Sequence, residues 1–316
     1  MQQKVAIGCG CDNLKTVFIG VTMKNPYFID EPAVVSFSGG RTSAYMLWRV
    51  LQAHDGVLPD CVKVLFANTG KEMPETLDFV RNCGEQWGVD IVWLERSVRS
   101  EVDETKKYGK TYKYETKVVN YETASRNGEP FAQLIAARAY APNAVARFCT
   151  VDLKIRAIEQ YCVQFEDFED GWQALIGIRA DEERRAAKMH GTKEGKQDRF
   201  LPLWLDGVTR FDVSDFWNAQ NFDLGLPNIG GTTPFGNCDL CFLKGHTRKL
   251  SIIRERPDLA DWWIEQEASL SKQVGSAAYF RADQPSYATM KMIATDQGNL
   301  FDKFDDDDSM SCFCGD

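Results

Sequence analysis

The stretch Ala33–Leu51, AVVSFSGGRTSAYMLWRVL, decides the architecture. Ala33-Val34-Val35-Ser36-Phe37 is a short apolar run of the kind that forms a buried β-strand. It breaks at Ser38-Gly39-Gly40, after which Ala44, Leu47 and Leu51 fall on one helical face with Met46 and Val50 beside them. Strand, glycine turn and helix start leave backbone N–H groups unpaired and aimed at one point, where the helix dipole adds partial positive charge. Such a point attracts phosphate. Gly39 and Gly40 allow close backbone approach to a ligand, and Ser38, Thr42 and Ser43 supply hydroxyl donors. Taken alone, the turn is also compatible with an α/β protein that binds nothing there, for glycine turns between strand and helix are common. It is neither a Walker loop, for no Gly-Lys-Ser/Thr follows at the required spacing, nor GxGxxG.

Downstream, Cys61–Ala67 reads as a second buried strand that ends at Asn68-Thr69-Gly70, where a doubly wound sheet places ligand contacts. A helix is expected from Pro74 to about Trp87, its apolar face carrying Leu77, Val80, Cys83 and Trp87, and Ile91–Leu94 reads as a third strand. Two such βα units imply a parallel sheet with crossover helices. Arg99–Glu129 interrupts the rhythm and reads as a long polar excursion, either a lid or a surface insertion. Its Lys106, Lys107, Lys110, Lys113 and Lys117 either meet an anionic substrate or form a solvated face.

Helical patterns over 131–141 and Asp152–Phe165 flank Arg147-Phe148-Cys149-Thr150. Ala174–Ile178 is a clear strand, followed at once by Arg179-Ala180-Asp181-Glu182-Glu183-Arg184-Arg185. Arginines so placed can clamp phosphate or sulfate oxygens, held by their acidic neighbours. Residues 201–217 read as a link into a short helix capped near Asp212 or Ser214, and 247–300 as helical, with Trp262, Trp263, Ile264 and Leu270 packed.

The fold class expected is therefore α/β, a Rossmann-like parallel sheet with a mostly helical C-terminal region. Four segments follow: an extension over 1–30, an α/β domain over 31–225, a cysteine-containing helical region over 226–300 and an acidic, cysteine-containing tail over 301–316. Met23, ahead of Asn25-Pro26-Tyr27, is an alternative natural start.

A net charge of −9 argues against strong non-specific nucleic-acid binding by the whole surface, although a nucleic-acid acceptor at a local basic cleft stays open. No apolar run approaches the length of a membrane span and the first residues lack a secretory layout, so a cytoplasmic protein without membrane contact is expected. In that compartment the ten cysteines should be reduced, and spaced cysteines point to metal or catalysis rather than disulfides. The three histidines, His54, His190 and His246, are isolated and give little support to a His-rich zinc site or a Ser-His-Asp triad.

Cys238-x2-Cys241 has chelate spacing for zinc or an iron–sulfur cluster. Two thiolates do not hold a cluster. Cys149, flanked by Arg147 and Lys154, is the best third ligand, because cationic neighbours stabilise thiolate, and Cys312 or Cys314 is available as a fourth. Cys312 and Cys314 are equally readable as a redox-active tail or as exposed thiols. Cys83 and Cys162 lie on apolar helical faces and read as core.

Five stretches in order, SFSGGRTS, NTGKEMPETLDF, RFCTVDLK, GIRADEERR and CDLC, together resemble the PAPS reductase-like family of the PP-loop superfamily. That family includes PAPS and adenylylsulfate reductases and the ATPases of DNA phosphorothioation. The resemblance covers about residues 33–245 and implies an adenine nucleotide α-hydrolase-like fold. It places ATP, PAPS or APS phosphates at Ser38, Gly39, Gly40, Arg41, Thr42 and Ser43, with Mg2+ as a companion. Asn68, Thr69 and Gly70 would border the adenosine, and Arg179 and Arg185 would meet the anionic end. It also tips the cysteine reading toward a 4Fe-4S cluster on Cys149, Cys238 and Cys241.

Two chemistries follow from the resemblance. One is cleavage of ATP at the α–β bond, in a sulfur-transfer context with a sulfur donor as partner. The other is sulfonucleotide reduction by Cys312 or Cys314 with a thioredoxin-like reductant, Arg179 assisting in either. A non-catalytic nucleotide-binding module is the third alternative. The chain departs from the family in three places. Asn68 stands where Asp is usual, Phe148 precedes Cys149 where cluster-bearing reductases carry a second cysteine, and the terminal CFCGD matches the reductase tail only loosely.

Overall fold

The computed structural model describes residues 25–102, 104–105 and 110–296. Among these residues seven strands form one sheet in the order β4-β3-β2-β1-β5-β7-β6. They are β1 (Ala33–Ser36), β2 (Val62–Asn68), β3 (Ile91–Val102), β4 (Lys110–Val119), β5 (Trp172–Leu175), β6 (Lys193–Glu194) and β7 (Gln197–Phe200). The five central strands are parallel, and β4 and β6 are antiparallel edges. The parallel order reverses at β1, which pairs with β2 on one side and β5 on the other, so the ligand crevice of a doubly wound sheet falls beyond the C-terminal ends of β1 and β5.

β1 is apolar up to Ser36 because both of its faces are covered. Val34, Leu65 and Leu94 face one layer with Ile158 and Cys162. Ala33, Val35, Val64 and Phe66 face the other, where α1 (Arg41–Ala53) and α2 (Pro74–Trp87) lie. α1 buries Ala44, Met46, Leu47, Val50 and Leu51. α2 starts at Pro74, whose missing N–H costs nothing there, and ends on left-handed Gly88. Cys83 and Cys162 are indeed core, and burial drives both thiols up in pKa, Cys162 to about 12.

The polar excursion is corrected by the structure. β3 runs on to Val102 and pairs antiparallel with β4, so much of 99–119 is a two-stranded ribbon. The signal was alternation: Val98 is buried opposite Tyr114, while Arg99 and Lys113 on the other face are exposed. Lys113 pairs with Glu101 and Lys117 with Glu115, whereas Lys106 and Lys107 lie outside the described residues.

After α3 (Glu129–Arg138), helix begins at Phe148, earlier than expected. It runs through α4 (Phe148–Thr150), a π-helical segment Val151–Ile155 and α5 (Arg156–Cys162). Buried Asp152 in the π segment holds Arg138 and Arg156, each at 2.6 Å. α6 (Glu183–Met189) and α7 (Pro202–Leu205) follow. α8 (Arg210–Asn218) is capped by Thr209, with Asp212 as the reciprocal partner three residues on, not as the cap itself. α9 (His246–Glu255), α10 (Leu259–Val274) and α11 (Tyr287–Asp296) share the core of α1–α3. Trp263 joins them, stacking on Tyr287 and meeting Phe131 edge-on.

Candidate functional site

The loop Ser38-Gly39-Gly40 leads directly into α1 at the crevice. No side chain caps α1, and no acidic residue stands in its first turn, so its first N–H groups face the crevice uncompensated. Gly39 has φ +80°, and a Cβ there would lie 2.6 Å from Thr76 Cγ2. Only glycine fits. The Ser38 hydroxyl donates to Ser43 Oγ at 2.9 Å, and Ser43 donates to the Gly40 carbonyl at 3.0 Å. Gly177, just past β5, brings its backbone so near α1 that a Cβ would lie 3.2 Å from Ser43 Cα.

Arg179 is buried, and its Nη1 donates to Thr42 Oγ1 at 2.9 Å. Its Nε donates to Asp181 at 3.1 Å and its backbone N–H to Glu182 at 3.0 Å. Glu182 also pairs with Arg185, whose Nη2 is buried with no hydrogen-bond partner among the described residues. The sequence-predicted loop and arginine segment therefore meet. Arg41 differs: its guanidinium is turned away onto Asp223, Thr233 and the Leu226 carbonyl, leaving its backbone N–H for a ligand. Burial raises the Asp223 carboxyl, but Arg41 and the N–H groups of Leu224 and Gly225 outweigh it and hold it below its ordinary value.

Beside the loop opens a cleft enclosing about 610 Å³, part of it open to solvent. Its walls are largely apolar, with Phe37, Leu65, Ile155, Ile158 and Ile176, while Ser38, Ser43, Lys154 and Gln197 bring polar groups. An apolar slot ending on hydroxyls and a bare helix N-terminus suits a nucleoside carrying an anionic group.

The lining reaches Ala67, one residue short of Asn68. Asn68 is fully buried: its amide donates to Glu95 at 2.6 Å and to the Ser125 carbonyl at 2.9 Å, and its oxygen accepts from Gly70 N–H at 3.1 Å. Thr69 donates from its N–H and its hydroxyl to Glu72, each at 2.9 Å. The same loop is stapled to the second cysteine segment. Glu72 bridges Cys238, Asp239 N–H donates to the Lys71 carbonyl, and Lys71 Nζ lies 2.7 Å from Asp239. Glu72, Gly177 and Asp223 escaped the sequence reading, because each acts through a contact with a residue distant in the chain.

Cys238 and Cys241 are buried neighbours on one turn, and Cys238 Sγ lies 3.6 Å from Thr69 Oγ1. Among the described residues, however, no three His, Cys, Asp or Glu side chains form a group placed to hold a metal. Cys149 is the second residue of α4, and two thiolates alone do not hold a cluster. Cys312 and Cys314, expected as fourth ligand or catalytic thiol, lie outside the described residues. Among the described residues no helix is long and apolar enough to cross a membrane.

The family model of the phosphoadenosine phosphosulfate reductase domain matches residues 32–224. An uncharacterized nin region protein of Escherichia phage lambda is 32% identical over 220 residues, covering 69% of this chain and 68% of its own length. An uncharacterized protein of Methanocaldococcus jannaschii is 29% identical over 200 residues, 61% of this chain but only 33% of that protein.

Proposed function

Because this chain belongs to the phosphoadenosine phosphosulfate reductase domain family, we propose that it is a nucleotide enzyme binding ATP or a sulfonucleotide in the cleft beside α1. The observation that carries this reading is the junction of the apolar cleft with the uncapped start of α1, where Arg179 reaches Thr42. The nucleoside occupies the apolar slot. Its phosphates meet the N–H groups of residues 41–43, the hydroxyls of Ser38, Thr42 and Ser43, and the cations Lys154 and Arg179, with Mg2+ arriving on the nucleotide.

The reaction best suited to this arrangement is attack on the α-phosphorus of ATP. The nucleophile, water or an acceptor oxygen, forms a bond to phosphorus, and the bond to the β-bridging oxygen breaks. Pyrophosphate leaves with the electron pair, and its growing charge is met by preorganised N–H groups and cations. The second chemistry, reduction of a sulfonucleotide by Cys312 or Cys314, draws its nucleophile from residues beyond those described.

Titration with ATP, PAPS and APS, followed by assay for pyrophosphate and for thiol-dependent sulfite, tests the proposal. Binding of ATP with pyrophosphate release that survives Cys312→Ser and Cys314→Ser supports it. Sulfite release lost in those variants establishes the reductase instead, and no binding of any of the three defeats both.

A further inference from the structure

We propose that Glu72 is a positioning residue for nucleotide binding, fixing the Lys154 ammonium where it meets the anionic part of the ligand. The proposal rests on the nucleotide reading above.

Glu72 follows β2, and its side chain is only 1% exposed. Burying a carboxylate is costly unless donors and a cation compensate it. Thr69 N–H and the Thr69 hydroxyl donate to it at 2.9 Å, and Lys71 N–H donates at 3.2 Å. Its ion-pair partner is Lys154, with Nζ at 3.6 Å. The strand bridge to Cys238 fixes the backbone of Glu72 as well. Every atom that could let this carboxylate drift is therefore tied down, and the cation it faces is the one that lines the cleft.

Lys154 comes from a different part of the fold, the π-helical segment 151–155. Its long stem has many rotamers, and ordering them on ligand binding would cost affinity. Pairing with Glu72 orders the stem beforehand. With residue 68 an asparagine committed to Glu95 and Ser125, Glu72 is the carboxylate of this loop that faces the cleft cation.

The test is a double-mutant cycle read by calorimetric titration with ATP and with adenosine, using Glu72→Gln, Lys154→Met and the pair. Glu72→Gln should weaken ATP roughly tenfold, leave adenosine within about twofold, and add nothing once Lys154 is Met. Equal losses for ATP and adenosine, equal losses with and without Lys154, or no loss at all would each overturn the assignment. Should Glu72→Gln fail to fold, Glu72→Asp, which withdraws the charge by one methylene, completes the same cycle. A wild-type chain that binds none of ATP, PAPS and APS defeats the nucleotide reading itself. A wild-type chain that binds ATP while Glu72→Gln is indistinguishable defeats only the role of Glu72.

Discussion

Arg179 Nη1 donates to Thr42 Oγ1 at 2.9 Å, linking the segment after β5 to the first turn of α1 across 137 residues of sequence. Because the hydroxyl accepts from arginine, its own proton is left for another acceptor, which under the proposed function is a nucleotide phosphate. Arg179→Ala should weaken ATP binding roughly tenfold to hundredfold, the loss expected for one charge-assisted contact. Arg179→Lys should recover little, since Thr42, Asp181 and Glu182 are met by three different guanidinium nitrogens and a single ammonium nitrogen cannot occupy all three positions. Calorimetry with ATP checks both variants, and a lysine variant of wild-type affinity would place the arginine's role elsewhere.

Gly39 packs closely against Thr76 of α2, and Gly177 against the first turn of α1. Gly39→Ala puts a Cβ at φ +80° against Thr76 and should lose about 1–3 kcal/mol of stability, together with most nucleotide affinity. Gly177→Val should press on Ser43 and reduce affinity with a smaller loss of stability, because its backbone is not left-handed. Thermal unfolding and ATP titration separate the two. Unchanged affinity in Gly39→Ala would remove the loop from the binding site.

The Asp223 carboxyl has a depressed pKa in the folded chain, so its contribution to stability is present above the unfolded value and lost as pH falls through the folded one. Asp223→Asn should therefore be less stable than wild type at pH 7, and the gap should close below about pH 4. Urea unfolding at several pH values measures this. A gap that persists undiminished in acid would mean that the Arg41 contact does not depend on the charge.

Metal content, measured as iron, sulfide and zinc after anaerobic purification, should fall with Cys238→Ala or Cys241→Ala. It should not change with Cys83→Ala or Cys162→Ala, whose thiols are core filling. Metal retained in the Cys238 and Cys241 variants would remove the pair from the ligand set and leave it a structural turn beside Thr69.

Local pattern carried much of this protein. The apolar run of β1, the glycine break and the periodic face of α1 are each set by residues a few positions apart, so α1, α2 and the parallel sheet were readable directly. Pro74 and Trp87 even marked the ends of α2. The ribbon of β3 and β4 was masked by its polarity, because an edge pair buries only one face and its lysines dominate the composition.

The candidate loop and its flanking arginine segment could be named from residue type, yet which guanidinium reaches the hydroxyls at the start of α1 could not. Arg41 and Arg179 are both buried beside the start of α1, but Arg41 is drawn to Asp223 and Arg179 to Thr42. That choice depends on which distant carboxylates and hydroxyls the packed chain brings within hydrogen-bond range, and no local pattern encodes it. The same holds for Glu72 beside Lys154. Periodicity sets the elements because it acts through neighbours on one face; the partners of each buried charge are set only when the elements close together.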